Sequence, residues 1–203
     1  MAAKSIVVAV AGAALGLAAA VALIPQVRER LLPSIEEQSS GKALVGGAFT
    51  LKDSAGKTVT DQDFRGKYML VFFGYTSCPD ICPAGLQLMA GALEKLGPKA
   101  ERITPIFISV DPARDTPEKL GQYVKNFDPR LVGLTGTPDE IAAVAKAYKV
   151  YYAKVANKDK PDDYTMDHTS IMYVMGPDGE FVTHFTPQTS VDDMAAKLAK
   201  LVS

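Results

Sequence analysis

The sequence has few of the residues that build disulfide scaffolds and multi-ligand metal clusters. Its 203 residues include two cysteines, two histidines and no tryptophan. Two cysteines cannot form a multi-bridge scaffold, so the pair has to be considered as a site. The formal net charge is −1, and no basic run resembles a phosphate-binding stripe. We therefore expect no nucleic-acid partner.

The first 25 residues contain a long run without charge. Residues Ile6 to Ile24 would span roughly 28 Å as a helix, about the thickness of a membrane hydrocarbon core. A cleaved signal peptide is the alternative, but the apolar run exceeds the usual core of about 7–15 residues. We therefore predict that residues 1–25 form a single transmembrane anchor, 26–45 a linker and 46–203 the folded domain.

The folded domain shows alternating strand and helix patterns. A hairpin is expected within 49–60, and Thr116 and Thr137 each precede a proline as predicted helix N-caps. Further strands are predicted at 68–75, 103–110, 130–136, 149–155, 169–175 and 180–185, and further helices at 83–96 and 192–202. This order predicts an α/β fold with an N-terminal β-hairpin extension. The cysteines follow the first central strand, at the strand end where α/β ligand sites occur.

Both cysteines lie in the stretch FFGYTSCPDICPAG, residues 72–85. If Cys78 and Cys82 lie at the first turn of a helix, their Cβ atoms are roughly 5–6 Å apart. A disulfide prefers about 3.5–4.5 Å, whereas a metal bound by sulfur at about 2.3 Å accepts the wider gap. The spacing favours metal and leaves a disulfide possible. The helix N-terminus favours thiolate, which is both ligand and nucleophile.

A third ligand has to come from one of the two histidines. A hairpin with a tight turn at 176–179 would place Ile171 opposite His184, and His168 on the other face of the sheet. The two histidines then cannot bind one metal, and His168, at the start of a predicted strand beside a polar loop at 157–167, is the candidate. Two thiolates and an imidazole suit Cu(I) and can hold Cu(II), whereas structural zinc would need a fourth ligand.

Three segments resemble the Sco/SenC family of copper-binding assembly factors for cytochrome c oxidase: GYTSCPDICP, ISVDPARDTPEKL and DHTSIMYVMGPDGEF. The resemblance covers the domain from GGAFTLKD to the last helix. It implies a thioredoxin-like fold, and copper bound by Cys78, Cys82 and His168. It also implies action on the two-copper site of oxidase subunit II, with an inner-membrane anchor and a periplasmic domain, as in bacterial relatives.

Three aspartates are candidates for a supporting role around the metal. Asp111 and Asp115 follow the second central strand, where they could orient a ligand or attract a cationic partner. The alternative is that they are solvated loop acids that cap the next helix. Asp167 is a candidate hydrogen-bond partner for His168.

The main functional hypothesis is a membrane-tethered periplasmic copper metallochaperone rather than an enzyme. Its expected partners are oxidase subunit II and another periplasmic copper donor or thiol reductant. The alternative is a thiol–disulfide oxidoreductase that reduces the cysteines of the two-copper site, or another periplasmic target, without carrying metal. The Cys-x-x-x-Cys spacing and the lack of a proline beside His168 depart from general disulfide exchangers. A third hypothesis, a structural zinc module, predicts that chelators unfold the domain.

Overall fold

The computed structural model describes residues 44–156 and 163–203. The predicted anchor, and nearly all of the predicted linker, lie outside these residues. Among the residues that are described, no helix is long and apolar enough to cross a membrane.

A seven-stranded mixed sheet forms the centre of the domain. Its strands are β1 (Thr50–Asp53), β2 (Thr58–Thr60), β3 (Tyr68–Gly74), β4 (Ile103–Ser109), β5 (Val132–Thr135), β8 (Met172–Met175) and β9 (Phe181–Phe185). Their order across the sheet is β2-β1-β5-β4-β3-β8-β9, in which β3, β4 and β5 run parallel and the other neighbours pair antiparallel. The predicted N-terminal hairpin is confirmed as β1 and β2.

Within the described part of the chain, four α-helices flank the sheet, and two begin at the predicted N-caps. They are α1 (Ile81–Leu96), α2 (Pro117–Lys125), α3 (Pro138–Ala147) and α4 (Val191–Leu201). The Thr116 hydroxyl accepts a hydrogen bond from the backbone of α2, and the Thr137 hydroxyl does the same for α3. Helix α1 begins at Ile81 rather than Pro83, so Cys82 lies in its first turn. Short 3₁₀ helices occupy Asp61–Phe64 and Gly97–Arg102.

The core lies on both faces of the sheet because the side chains of β3 alternate between them. On one face Leu70 and Phe72 belong to a cluster that includes the buried side chains of α1, α2 and α4. On the other face Val71 and Phe73 belong to a cluster that includes those of α3. The strand that leads to the cysteines is thus buried on both sides.

Two further strands form a separate hairpin, of which the sequence predicted the first, at 149–155, but not the second. β6 (Tyr152–Ala156) and β7 (Tyr164–His168) pair only with each other, with Tyr152 opposite His168. The predicted polar loop at 157–167 is therefore wrong from Tyr164 onwards. His168 ends β7, whereas we predicted it at the start of the following strand.

The register of the β8–β9 hairpin also differs from the prediction. His184 lies opposite Tyr173 rather than Ile171, because the turn pairs Met175 with Phe181 and a bulge follows between Val174 and Met175. The register is displaced by two residues, and a two-residue shift keeps each side chain on its face. His184 is exposed and lies outside the metal-binding group described below.

Candidate metal centre

The loop between β3 and α1 presents both sulfurs at a helix N-terminus. The Cys78 amide donates to the Tyr75 carbonyl at 3.3 Å, and the Cys82 amide donates to Cys78 Sγ at 3.3 Å. Cys78 is half-buried and Cys82 is 0% exposed, and neither forms a disulfide. The Cys82 N–H has no acceptor within the helix because it lies in the first turn, and it donates to a sulfur instead.

His168 reaches the cysteines from the end of β7. Its Nε2 lies 3.3 Å from Cys82 Sγ, and its Nδ1 lies 3.1 Å from the Thr169 carbonyl oxygen. Donation from Nδ1–H to this carbonyl leaves the Nε2 lone pair facing the sulfurs. The rings of Phe72 and Tyr75 meet the imidazole edge-on, with centroids at 6.3 and 5.9 Å, and restrict its rotation.

The three predicted ligands come together in the fold. One donor atom each from Cys78, Cys82 and His168 lies within 4.8 Å of the other two. Three bonds of about 2.0–2.3 Å to a common ion in one plane place the donor atoms roughly 4 Å apart, so shifts of less than about 1 Å would complete the coordination. The set of two sulfurs and an imidazole suits a soft, thiophilic ion. The residues present therefore fit a metal of this class.

Burial sets the protonation of the metal-free site. It is the main cause that raises the pKa of the Cys82 thiol, and the hydrogen bond with Cys78 adds to it. Burial also lowers the pKa of His168, partly offset by the hydrogen bond to the Thr169 carbonyl. We predicted that the helix N-terminus favours thiolate; at Cys82 burial outweighs this effect, and the pKa of the thiol is raised. Metal binding at Cys82 must release a proton.

Gly74 leaves the space that the Cys82 sulfur occupies. A Cβ atom placed on Gly74 would lie 2.7 Å from Cys82 Sγ and 2.7 Å from Cε2 of Phe107. Real Cβ atoms essentially never approach so closely, so only glycine fits here without displacing a neighbour. Sequence reasoning missed this residue, because a glycine at a strand end does not indicate what packs against it.

Asp115 is buried and fixes the cysteine loop. It accepts hydrogen bonds from the Thr76 amide at 2.9 Å, the Thr76 hydroxyl at 2.5 Å and the Ser109 hydroxyl at 2.6 Å. Asp111 is also buried, and it pairs with Arg114 and accepts from the Tyr164 hydroxyl at 2.9 Å. The alternative of solvated acids that cap α2 is therefore wrong, since both are buried and Thr116 is the cap.

Asp167 does not orient the His168 ring through Nδ1, because that nitrogen faces the Thr169 carbonyl. The Asp167 side chain is exposed, and its charge acts at a distance to raise the pKa of His168 slightly against the effect of burial.

Fold and site together define a thioredoxin-like α/β domain in which two cysteines and a histidine form a candidate metal centre. No cis peptide bond occurs in the described residues, so the cis-proline typical of disulfide exchangers is absent from this part of the chain. The chain belongs to the SCO1/SenC family, whose family model matches residues 37–203.

Several known proteins are similar to this chain in sequence or in structure. The mitochondrial SCO1 homolog of Homo sapiens is 46% identical over 161 residues, which cover 78% of this chain and 53% of that protein. The structure of Bradyrhizobium japonicum ScoI with copper bound is 48% identical with a TM-score of 0.72, and the match covers 77% of this chain and 99% of that chain.

A more distant solved relative is BsSco, described as a member of the Sco family of cytochrome c oxidase assembly proteins with a disulfide switch. It is 27% identical with a TM-score of 0.60, and the match covers 81% of this chain and 98% of that chain.

Proposed function

We propose that this protein is a copper metallochaperone that binds copper through Cys78, Cys82 and His168. The convergence of the three donor atoms within 4.8 Å carries the proposal. Copper bound in the B. japonicum relative, at 48% identity, supports the choice of metal. The soft donors suit Cu(I), and the imidazole also allows Cu(II).

The acceptor that we propose is the two-copper site of cytochrome c oxidase subunit II. BsSco is described as belonging to a family of oxidase assembly proteins, which supports this assignment. Three protein ligands leave room for an incoming donor atom, which a closed four-ligand site would not. His168 belongs to a hairpin outside the main sheet, so we expect it to leave the cargo before the two sulfurs of the β3–α1 loop. Release would then proceed by stepwise ligand exchange.

We further propose that the domain lies in the periplasm of a bacterium, tethered to the inner membrane by a single N-terminal helix. The uncharged run from Ile6 to Ile24 supports the tether, and SenC of Rhodobacter capsulatus, 39% identical over 190 residues that cover 85% of that protein, supports a bacterial setting. Protease treatment of spheroplasts tests it, since the C-terminal domain should be digested without lysis. Protection of the domain in intact spheroplasts would contradict the assignment.

A second candidate function is thiol–disulfide exchange, which the half-exposed Cys78 beside buried Cys82 favours. The Cys78 thiolate would attack a target disulfide and form a mixed disulfide. Cys82, after losing its proton to solvent, would attack Cys78 and release the target as a dithiol. Two electrons pass to the target, and an external thiol reductant must then reduce the Cys78–Cys82 disulfide.

Copper titration of the reduced protein tests the main proposal. The wild-type chain should bind one equivalent of Cu(I), and the Cys78→Ser/Cys82→Ser variant should not. His168→Ala should weaken binding and change the charge-transfer absorption of the Cu(II) form. Binding by wild type no stronger than by the double-serine variant would refute the chaperone function.

A cellular assay separates delivery from reduction. Cells that lack this protein should contain oxidase depleted of copper, and added copper should restore it if delivery is the function. If added copper fails and a membrane-permeant reductant restores the oxidase, the thiol–disulfide function is correct instead.

A further inference from the structure

The strand that carries His168 belongs to a hairpin with little core of its own. β6 and β7 pair only with each other, and none of their residues is fully buried. A two-stranded hairpin alone is at best marginally stable in water. The position of His168 therefore depends on contacts between this hairpin and the rest of the domain. Met166 makes one such contact, since it packs against both core clusters.

Arg114 provides a second, polar attachment at the first residue of β7. Its Nε donates to the Asp111 carboxylate, and its Nη1 donates to the Tyr164 carbonyl at 2.8 Å. The guanidinium lies 3.7 Å from the centroid of the Tyr164 ring, and the Tyr164 hydroxyl donates to Asp111 Oδ1 at 2.9 Å. We call these three residues the Arg114 clasp. They close a ring of contacts that uses both the backbone and the side chain of Tyr164.

The clasp and the imidazole lie at opposite ends of one strand face. Tyr164 and His168 are four residues apart in β7, so their side chains point the same way, roughly 13 Å apart along the strand. The alternating burial of β7 agrees, with Thr165 and Asp167 exposed between them. Arg114 also lies 5.7 Å from the centroid of the Tyr75 ring, which meets the His168 ring edge-on. The clasp is therefore connected to the imidazole in two ways: along β7 from Tyr164 to His168, and through the Tyr75 ring, which contacts both Arg114 and His168.

The same short segment also holds the cysteine loop. Asp115, next to Arg114, accepts two hydrogen bonds from Thr76, which precedes Cys78 by two residues. Residues 111–115 thus contact both of the pieces that carry ligands. This segment therefore contributes to the distance between the sulfurs and the imidazole.

We propose that Arg114 is a positioning residue for the metal centre. Through the clasp it holds β7 so that His168 Nε2 faces the two sulfurs, and it thereby determines how strongly the third ligand contributes to binding. This inference rests on the proposed copper-binding function and adds a determinant of affinity to it. Arg114 touches no ligand atom, and we assign its effect on binding to His168 rather than to the cysteine loop, which Arg114 approaches only through the Tyr75 ring.

The test measures copper binding by the full-length protein in detergent, using Cu(I) with a competing chelator and Cu(II) with electron paramagnetic resonance. Arg114→Met should weaken Cu(I) binding about tenfold, the lower end of the loss seen when groups that orient a ligand are removed. It should also reduce the nitrogen hyperfine signal of the imidazole, which a merely stabilising role would not change.

Arg130→Met is the matched control. Arg130 makes a similar ion pair with Asp128, through Nε at 2.9 Å and Nη2 at 2.6 Å. This pair precedes β5 and lies at the N-terminal ends of the parallel strands, whereas the cysteines lie at their C-terminal ends. This variant should leave copper affinity and the hyperfine signal unchanged. In a His168→Ala background, Arg114→Met should change affinity by less than about twofold, because its route of action has been removed.

Each outcome decides the proposal. Wild-type affinity in folded Arg114→Met overturns it, and so does a loss that persists in the His168→Ala background. If Arg114→Met does not fold, Arg114→Lys decides, since lysine keeps the charge but cannot also bond the Tyr164 carbonyl and stack on the ring. Wild-type affinity in Arg114→Lys overturns the inference, and a partial loss supports it. If the wild-type chain binds no copper, the proposed function itself has failed, whereas a failure confined to the Arg114 variants leaves that function intact.

Discussion

Replacing Gly74 by alanine tests whether the end of β3 is shaped to leave room for a metal-binding sulfur. The Gly74 backbone is not in the left-handed region, so alanine introduces no backbone strain. The added methyl group would lie 2.7 Å from Cys82 Sγ and from Phe107 Cε2, whereas ordinary contact begins at 3.4 Å. These neighbours must move by 3.4 − 2.7, or 0.7 Å, to make room.

Two effects follow from this displacement. Forcing a methyl group into a packed core costs about 1–3 kcal/mol, so the free energy of unfolding of the metal-free protein should fall by that amount. Cys82 Sγ is also a proposed ligand, and the added methyl group would take the space that Gly74 leaves for this sulfur. We therefore expect copper affinity to fall at least about tenfold.

Gly133→Ala separates the two effects. Its Cβ would lie 2.8 Å from Leu120 Cγ, a similar clash in the same sheet but away from the cysteines. Urea unfolding should show comparable losses of stability in both variants, whereas a Cu(I) competition assay should show weaker binding only in Gly74→Ala. Equal copper affinity in the two variants would refute the reasoning that Gly74 places the sulfur.

Three further predictions concern the site. Asp115→Asn should lower the free energy of unfolding by about 1–3 kcal/mol, because a buried acceptor of three hydrogen bonds is changed, and wild-type thermal stability would contradict this. In the metal-free protein iodoacetamide should modify half-buried Cys78 well before buried Cys82, and mass spectrometry showing equal rates would refute the assigned burial. Burial lowers the pKa of His168 below its ordinary value of 6.5, so the unfolded chain takes up the proton first. The free energy of unfolding should therefore fall as the pH drops from 6.5 through the folded pKa, and His168→Gln should remove this pH dependence if the assignment is right.

The parts of the fold that local chemistry determines were predictable from the sequence. Thr116 and Thr137, each followed by proline, identified the start of a helix because capping uses residues within one turn. A strand at the position of β6 was predicted, but β7 and its pairing with β6 were not, because the pairing is made across residues of mixed polarity and the attachment of the hairpin depends on distant contacts. The β8–β9 register was missed because of a bulge, which has no clear signal in this sequence.

The ligand types were likewise predictable, and their surroundings were not. Cys78 and Cys82 could be recognised from spacing. The choice of His168 over His184 was correct, but the face argument behind it does not apply, because His168 ends β7 in a separate hairpin rather than extending β8. The clasp brings Arg114 to a strand fifty residues away in sequence, a relation that only the folded chain reveals. The protonation of Cys82 depends on burial, which spacing does not indicate.

The core on both faces of the sheet has a consequence for whether one molecule can bind and release metal repeatedly. Apolar clusters on both faces of the sheet are complete without an ion, unlike small zinc modules whose folding is driven by their metal. We therefore expect the domain to keep its fold when a bound ion is lost. Under the proposed chaperone function, a molecule that has released its copper would remain folded and could bind copper again without refolding.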